Sequence, residues 1–279
     1  MVSGYFTPSS AIWRIGRESV LMLGGGRTLL AQAAHPLVAA GVVQHSRYRD
    51  EPWIRLGRTM SAVYTVVFGT REDARRAARG VRDVHAQVSG QLSEDVGSFS
   101  AGTPYSARDS ELALWVHATM VENALSMYPL LVGPLTREDE ERFWQDMKVV
   151  AELFGLRRGA LAATVGDFWD YWHEMLEGDV LAIGTDARAV AATVLDPPVP
   201  LPLRPAALAY RSLTVATLAP ELRERYGLTR SYRDRALVAG TSHALRRALL
   251  PVVPSRVRLL ALERGSEGLP FRLLRTLAA

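Results

Sequence analysis

"RLGRTMSAVYTVVFGTREDARRAARGVRDVH", residues 55–85, decides how the chain is read. Apolar residues recur here at three- and four-residue spacing without strict alternation, so the stretch reads as helices rather than strands. Residues 53–68 form the first helix, and "GTRED" ends it and starts the second. Thr70 with Asp73 three residues on resembles a capping box, with Asp in place of the usual Glu or Gln. In the second helix Ala74, Ala77, Ala78, Val81, His85 and Val88 fall on one stripe, a histidine standing where an aliphatic residue is expected. The first helix poses the converse question. Arg55, Arg58 and Thr59 stand at i, i+3 and i+4 ahead of the apolar run "SAVYTVVF", so they share a face that is either water or a polar site at the edge of a core.

The same periodicity extends in both directions. A helix near residues 9–23 is expected to end at "GGG" (24–26), and a second to run to His35, where Pro36 disfavours the helical conformation of the residue before it. "PLVAAGVVQHS" then begins a new helix with proline in its first turn. Residues 91–106, rich in Gly and Ser, read as a loop. About 109–131 is a long helix with Leu114, His117, Ala118, Val121, Leu125 and Tyr128 on one stripe, again with a histidine in it. Thr136, followed by acidic residues, caps another helix, and "GDFWDYWHEML" is helical. "DPPVPLPLRP" (196–205), with five prolines in ten residues, reads as a stiff extended connector before C-terminal helices. The expected fold is all-α, a single helical domain over residues 1–279.

Composition narrows the chemistry. At 48% apolar and 22% charged, the 279 residues suit a globular chain with a sizeable core. The 33 basic residues exceed the 29 acidic ones by only four and are spread along the chain, so charge alone does not indicate nucleic acid. The absence of cysteine excludes disulfides, thiolate zinc, iron–sulfur clusters, a Cys nucleophile and c-type haem attachment. "GGGRT" matches neither the P-loop nor the dinucleotide fingerprint and follows no strand, and neither G-x-S-x-G nor H-E-x-x-H occurs. The start "MVSGYFTPSS" has no signal-peptide pattern, and no uncharged apolar window of spanning length is present. The expectation is therefore a cytoplasmic chain without a transmembrane segment.

Six histidines stand at 35, 45, 85, 117, 173 and 243. His85 and His117, on the apolar stripes of two separate helices, call for a common explanation, because a buried imidazole must place two ring nitrogens. An imidazole facing an apolar helical pocket is what haem iron requires, and haem propionates want guanidinium partners. A helical scaffold with merely buried histidines is the alternative at this point.

The succession "AHPLVAAGVVQHSRYRDEPWIRLGRTMSAVYTVVFGTREDARRAARGVRDVHAQVSG", then "GTPYSARDSELALWVHATMVENAL" and "GPLTREDEERFWQDM", resembles the bacterial DUF2236 family. That family is also called the MpaB-type oxygenases and is related to the rubber-cleaving latex clearing proteins. The resemblance runs from about Trp13 to the end of the chain and is strongest over residues 27–150. It implies an all-α fold with a globin-like core around a haem b pocket, and dioxygen chemistry. Arg55-Leu56-Gly57-Arg58-Thr59 matches the relatives' distal Arg-x-x-Lys-Thr element, and Arg82-Asp83-Val84-His85 matches their Arg-x-x-His element, whose histidine is the proximal iron ligand. The resemblance thus implies catalytic roles for Arg55, Arg58 and Thr59. His85 is the expected ligand, with Arg82, His117, His35 and His45 as further cofactor-binding candidates. Arg58 replaces a lysine that ligates iron in the relatives' closed state, and a guanidinium is no ligand, so an open or water-filled sixth position is expected. No counterpart of the rubber enzymes' glutamate base is found. The expected activity is that of a haem-dependent oxygenase acting on an apolar small molecule with dioxygen. A non-catalytic haem carrier or gas sensor is the rival.

Overall fold

Local signals set many of the helix ends, and long-range packing sets the rest. The computed structural model describes residues 4–46, 52–261 and 267–278. It begins with α1 (Ala11–Gly16), a 3-10 turn (Ser19–Gly24), α2 (Gly25–Ala33), α3 (Pro36–His45), α4 (Pro52–Phe68) and α5 (Arg71–His85). Two short strands, β1 (Ser89–Gln91) and β2 (Pro104–Ser106), precede α6 (Ser110–Leu131), α7 (Arg137–Phe154), α8 (Val165–Glu177) and α9 (Thr185–Leu195). The chain continues through α10 (Arg204–Thr217), α11 (Pro220–Arg225), α12 (Tyr232–Ala244), α13 (Ser255–Arg258) and α14 (Leu269–Ala278). The fold is all-α apart from that two-stranded antiparallel sheet.

Caps appear where the sequence placed them. The Thr70 hydroxyl accepts from the Asp73 amide at the start of α5, and Thr136 with Asp139 forms a reciprocal capping box on α7. Pro36 occupies the first turn of α3, with His35 as its extended N-cap. α4 and α5 pack against each other across the two-residue link Gly69–Thr70, an antiparallel helical hairpin.

Three expectations are corrected. "GGG" does not end a helix: Gly24 closes a 3-10 turn, and Gly25 and Gly26 open α2. The glycines serve close packing, since a Cβ on Gly24 would stand 2.0 Å from the Asn123 amide oxygen and one on Gly26 2.3 Å from the Thr214 hydroxyl. Only a hydrogen allows α6 and α10 to cross this near. The loop 91–106 contains β2, which pairs back onto β1 through Gly90 and Tyr105. The proline-rich connector ends earlier than expected, because Pro202 sits in a 3-10 turn and Pro205 in the first turn of α10, where a missing N–H costs nothing.

One hydrophobic cluster runs from Phe6 to Phe271. At its centre the rings of Trp115 (α6) and Trp172 (α8) stack at 5.1 Å, and Trp144 (α7) lies 5.0 Å from Phe168 (α8). Four aromatics buried to this degree contribute on the order of 10 kcal/mol of burial free energy. A smaller cluster of Leu37, Ala40, Leu92, Val96, Tyr105 and Leu112 ties α3 to the small sheet and the head of α6.

Candidate functional site

The hairpin geometry decides which candidate residues stand together. Arg55 lies thirteen residues before the end of α4, and His85 fourteen beyond the start of α5. At 1.5 Å per residue both are therefore about 20 Å from the bend, at the same level of the hairpin. Arg58 and Thr59 sit one turn closer to it.

Their surroundings differ. Gly57 is buried between them, while Arg58 and Thr59 are exposed and Arg55 is half-buried. So the polar face of "RLGRTM" rolls from the margin of the core at Arg55 out to solvent at Arg58. Desolvation lowers the Arg55 pKa. Among the described residues Arg55 has neither an ion-pair nor a hydrogen-bond partner. A half-buried cation without a counter-charge costs folding free energy, so the position has an unmet demand for an anion or acceptor.

His85 is not core-facing, which corrects the reading of its stripe. Ala74 and Ala78 of that stripe are buried, but at the last turn of α5 the stripe is left open and His85 is exposed. Surrounding protein still lowers its pKa by desolvation, so near neutral pH the imidazole keeps a free lone pair. Among the described residues no hydrogen bond occupies either of its nitrogens. Arg82, one turn back, is already engaged. Its guanidinium donates to the Leu153 carbonyl at the end of α7, where a cation also suits the helix dipole.

The other histidines divide between surface and interior. His45 ends α3, exposed, with its ring 6.1 Å from that of Tyr105. Tyr105 donates to Gln44, and Gly41 faces both Tyr105 and Val88, so the small sheet holds the end of α3 near the chain leaving His85. His35, at the opposite end of α3, is 5% exposed, and its ring lies 5.5 Å from Phe99. His117 is 3% exposed beside Trp144 at 6.2 Å. Burial depresses both pKa values to about 4, with Asp109 opposing it slightly at His35. Nδ1 of His35 and Nε2 of His117 are buried without a hydrogen-bond partner. No hydrogen bond or ring contact joins His117 to His85 among the described residues.

Other polar groups escaped the sequence reading. Arg27 and Glu122 form a buried bidentate pair with two 2.7 Å hydrogen bonds, completed by Arg27 Nε to the Thr217 carbonyl and the Ser126 hydroxyl to Glu122. The partners are 95 residues apart, so no local pattern announces them. Lys148, the only lysine, is buried and donates to the Ala162 and Ala163 carbonyls. A cleft of about 190 Å³ between α10 and α12, lined by Arg211, Ser212 and Asp234 among others, includes none of the expected site residues.

Among the described residues no three His, Cys, Asp or Glu side chains converge to hold a metal ion. A redox metal here would have to bring most of its ligands with it, as a porphyrin does. Among the described residues neither the imidazole of His85 nor the guanidinium of Arg55 has a polar partner, and the two, at the same level of adjacent helices, fit such a group. Among the described residues no helix is long and apolar enough to cross a membrane. Neither a curated protein nor a solved structure matches the chain. Residues 12–247 match the family described as ER-bound oxygenase mpaB/B'/Rubber oxygenase, catalytic domain, and the chain belongs to that family.

Proposed function

We propose that the protein is a haem-b-dependent oxygenase that acts on an apolar small molecule with dioxygen as co-substrate. Membership of an oxygenase family supports the reaction class. The observation that carries the cofactor assignment is Arg55, a half-buried guanidinium with no counter-charge among the described residues, about as far from the bend as the imidazole of His85. In this reading His85 holds the iron through Nε2, and Arg55 meets a propionate in a charge-assisted fork. Arg58 and Thr59 offer donors one turn nearer the bend, and a guanidinium at position 58 does not compete for the metal. Bound there, haem would supply the redox centre for dioxygen chemistry.

The absorption spectrum of freshly purified or hemin-reconstituted protein tests this reading. A Soret band is expected in the wild type and in His243→Ala, and its loss in a folded His85→Ala variant. A wild type that takes up no haem ends the proposal. The unpartnered Nε2 of His117 favours one alternative ligand. Full haem occupancy with an unchanged ferrous spectrum in His85→Ala would move the role there. Oxygen consumption with a reductant and apolar substrates separates an oxygenase from a haem carrier or gas sensor.

A further inference from the structure

The arginines run the length of the chain, but the acidic residues thin out towards its end. Residues 201–279 hold fourteen arginines against five acidic side chains, a net +9, whereas residues 1–200 hold nineteen basic against twenty-four acidic residues, a net −5. Exposed apolar side chains divide at the same place: among the described residues, Val84 is the one large exposed apolar residue before position 200, and the other eight lie beyond it.

Part of this region forms a coherent face. α13 packs on α14, and α14 packs along α4, where Phe271 is buried with its ring 5.9 Å from that of Tyr64. The opposite side of α14 shows Leu269, Arg272, Leu273 and Thr276 at i, i+3, i+4 and i+7, all exposed. Beside it the chain around α13 exposes Val252, Val257 and Arg256; Leu273 is 58% and Val252 74% exposed. Residues 252–258 and 269–278 contain no acidic residue. Neither Arg256 nor Arg272 forms an ion pair among the described residues.

A surface that faces only water mixes both signs of charge and keeps leucine off its outer stripe. Here branched aliphatics alternate with guanidinium groups, and among the described residues Glu267, just before α14, is the one carboxylate of the segment 252–278. This is the chemistry of an anionic lipid surface: the aliphatics enter the acyl boundary and the arginines meet the phosphates. Nucleic acid would call for aromatic rings on which bases stack, and this face offers Leu and Val instead. A second copy of the same face would bring its own positive charge, which opposes pairing. α14 has ten residues, against roughly twenty for a span, so the contact is peripheral.

We propose that the α13–α14 face docks this protein on an anionic phospholipid bilayer, with Leu269, Leu273, Val252 and Val257 in the acyl boundary and Arg256 and Arg272 on the lipid phosphates. The proposal stands apart from the oxygenase reading and is read without turnover. Co-sedimentation of the full chain with vesicles of phosphatidylcholine alone, and of equal parts phosphatidylcholine and phosphatidylglycerol, tests it. Binding is expected only to the anionic vesicles, and to weaken with added salt. Leu269→Ser with Leu273→Ser, and separately Arg256→Glu with Arg272→Glu, should each weaken binding about tenfold or more, while Leu208→Ser on α10 leaves it unchanged. Circular dichroism verifies that the variants are folded. Equal binding to neutral vesicles, or full binding by both double variants, overturns the proposal. So does retention on duplex DNA that is tighter than on anionic vesicles and indifferent to the leucine pair. Loss of self-association rather than of vesicle binding in the leucine variant would assign the face to a second copy.

Discussion

The α2–α6 interior and the α4–α5 hairpin each take an arginine out of water, and they treat it differently. Arg27, 5% exposed, has a bidentate carboxylate and a backbone carbonyl, so each of its nitrogens has an acceptor. Arg55 is half-buried, its pKa is lowered by desolvation, and no described residue answers it. The interior is complete as folded, whereas the hairpin carries a cost that packing alone does not explain. A cation with no partner among the described residues, at one level of the hairpin with an exposed imidazole, supports the site proposed above.

The contrast breaks most sharply at Arg27. Arg27→Ala leaves Glu122 buried without its partner and should cost about 3–5 kcal/mol, whereas replacing both residues with apolar side chains of similar volume should cost much less. Denaturant midpoints of the single and double variants check this; a single variant as stable as Arg55→Ala would erase the distinction between the two regions.

The buried histidines make the interior acid-sensitive. His35 and His117 have folded pKa values of about 4, below the ordinary value of 6.5. The unfolded chain therefore binds more protons between those values, so stability rises with pH across the window and is lost as pH falls from about 6.5 towards 4. Each histidine should contribute about 2–3 kcal/mol to the difference between pH 7 and about pH 4.5. His117→Gln should flatten the profile by that amount, and an unchanged slope would show that the ring is not kept neutral by burial.

Smaller effects are expected in the hairpin. Thr70→Ala removes the hydroxyl that accepts from the Asp73 amide and should cost about 1 kcal/mol in thermal or chemical melts. Without a ligand, Arg55→Ala and His85→Ala should fall within about 0.5 kcal/mol of the wild type, Arg55→Ala on the stabilising side, because it removes a desolvated charge. Added hemin sharpens the comparison: it should raise the melting temperature of the wild type and not of His85→Ala, since only a ligand bound to the folded state stabilises it. An equal rise in both would remove His85 from the site.

His85 and His117 occupy equivalent places on apolar stripes, and nothing local separates them. Whether a stripe is covered depends on the neighbouring helices: the His85 side of the last turn of α5 lies open, while the middle of α6 packs against α2, the 3-10 turn and α7. The similar distance of Arg55 and His85 from the bend was implicit in a two-residue link between helices of similar length. The Arg27–Glu122 pair was not, since its partners meet through the packing of α2 on α6.

The sequence by itself determined the helical class, the break between α4 and α5, the caps at Thr70 and Thr136 and the proline start of α3, because each depends on hydrogen bonds and periodicity within a few residues. It also carried the motif order by which the family is recognised. Only the tertiary structure decided which histidines are buried, that Gly24 and Gly26 admit crossing helices, that Arg82 is spent on the end of α7, and that one face of α14 remains open beside arginines. Burial and charge compensation are sums over neighbours distant in the chain, and no local pattern contains them.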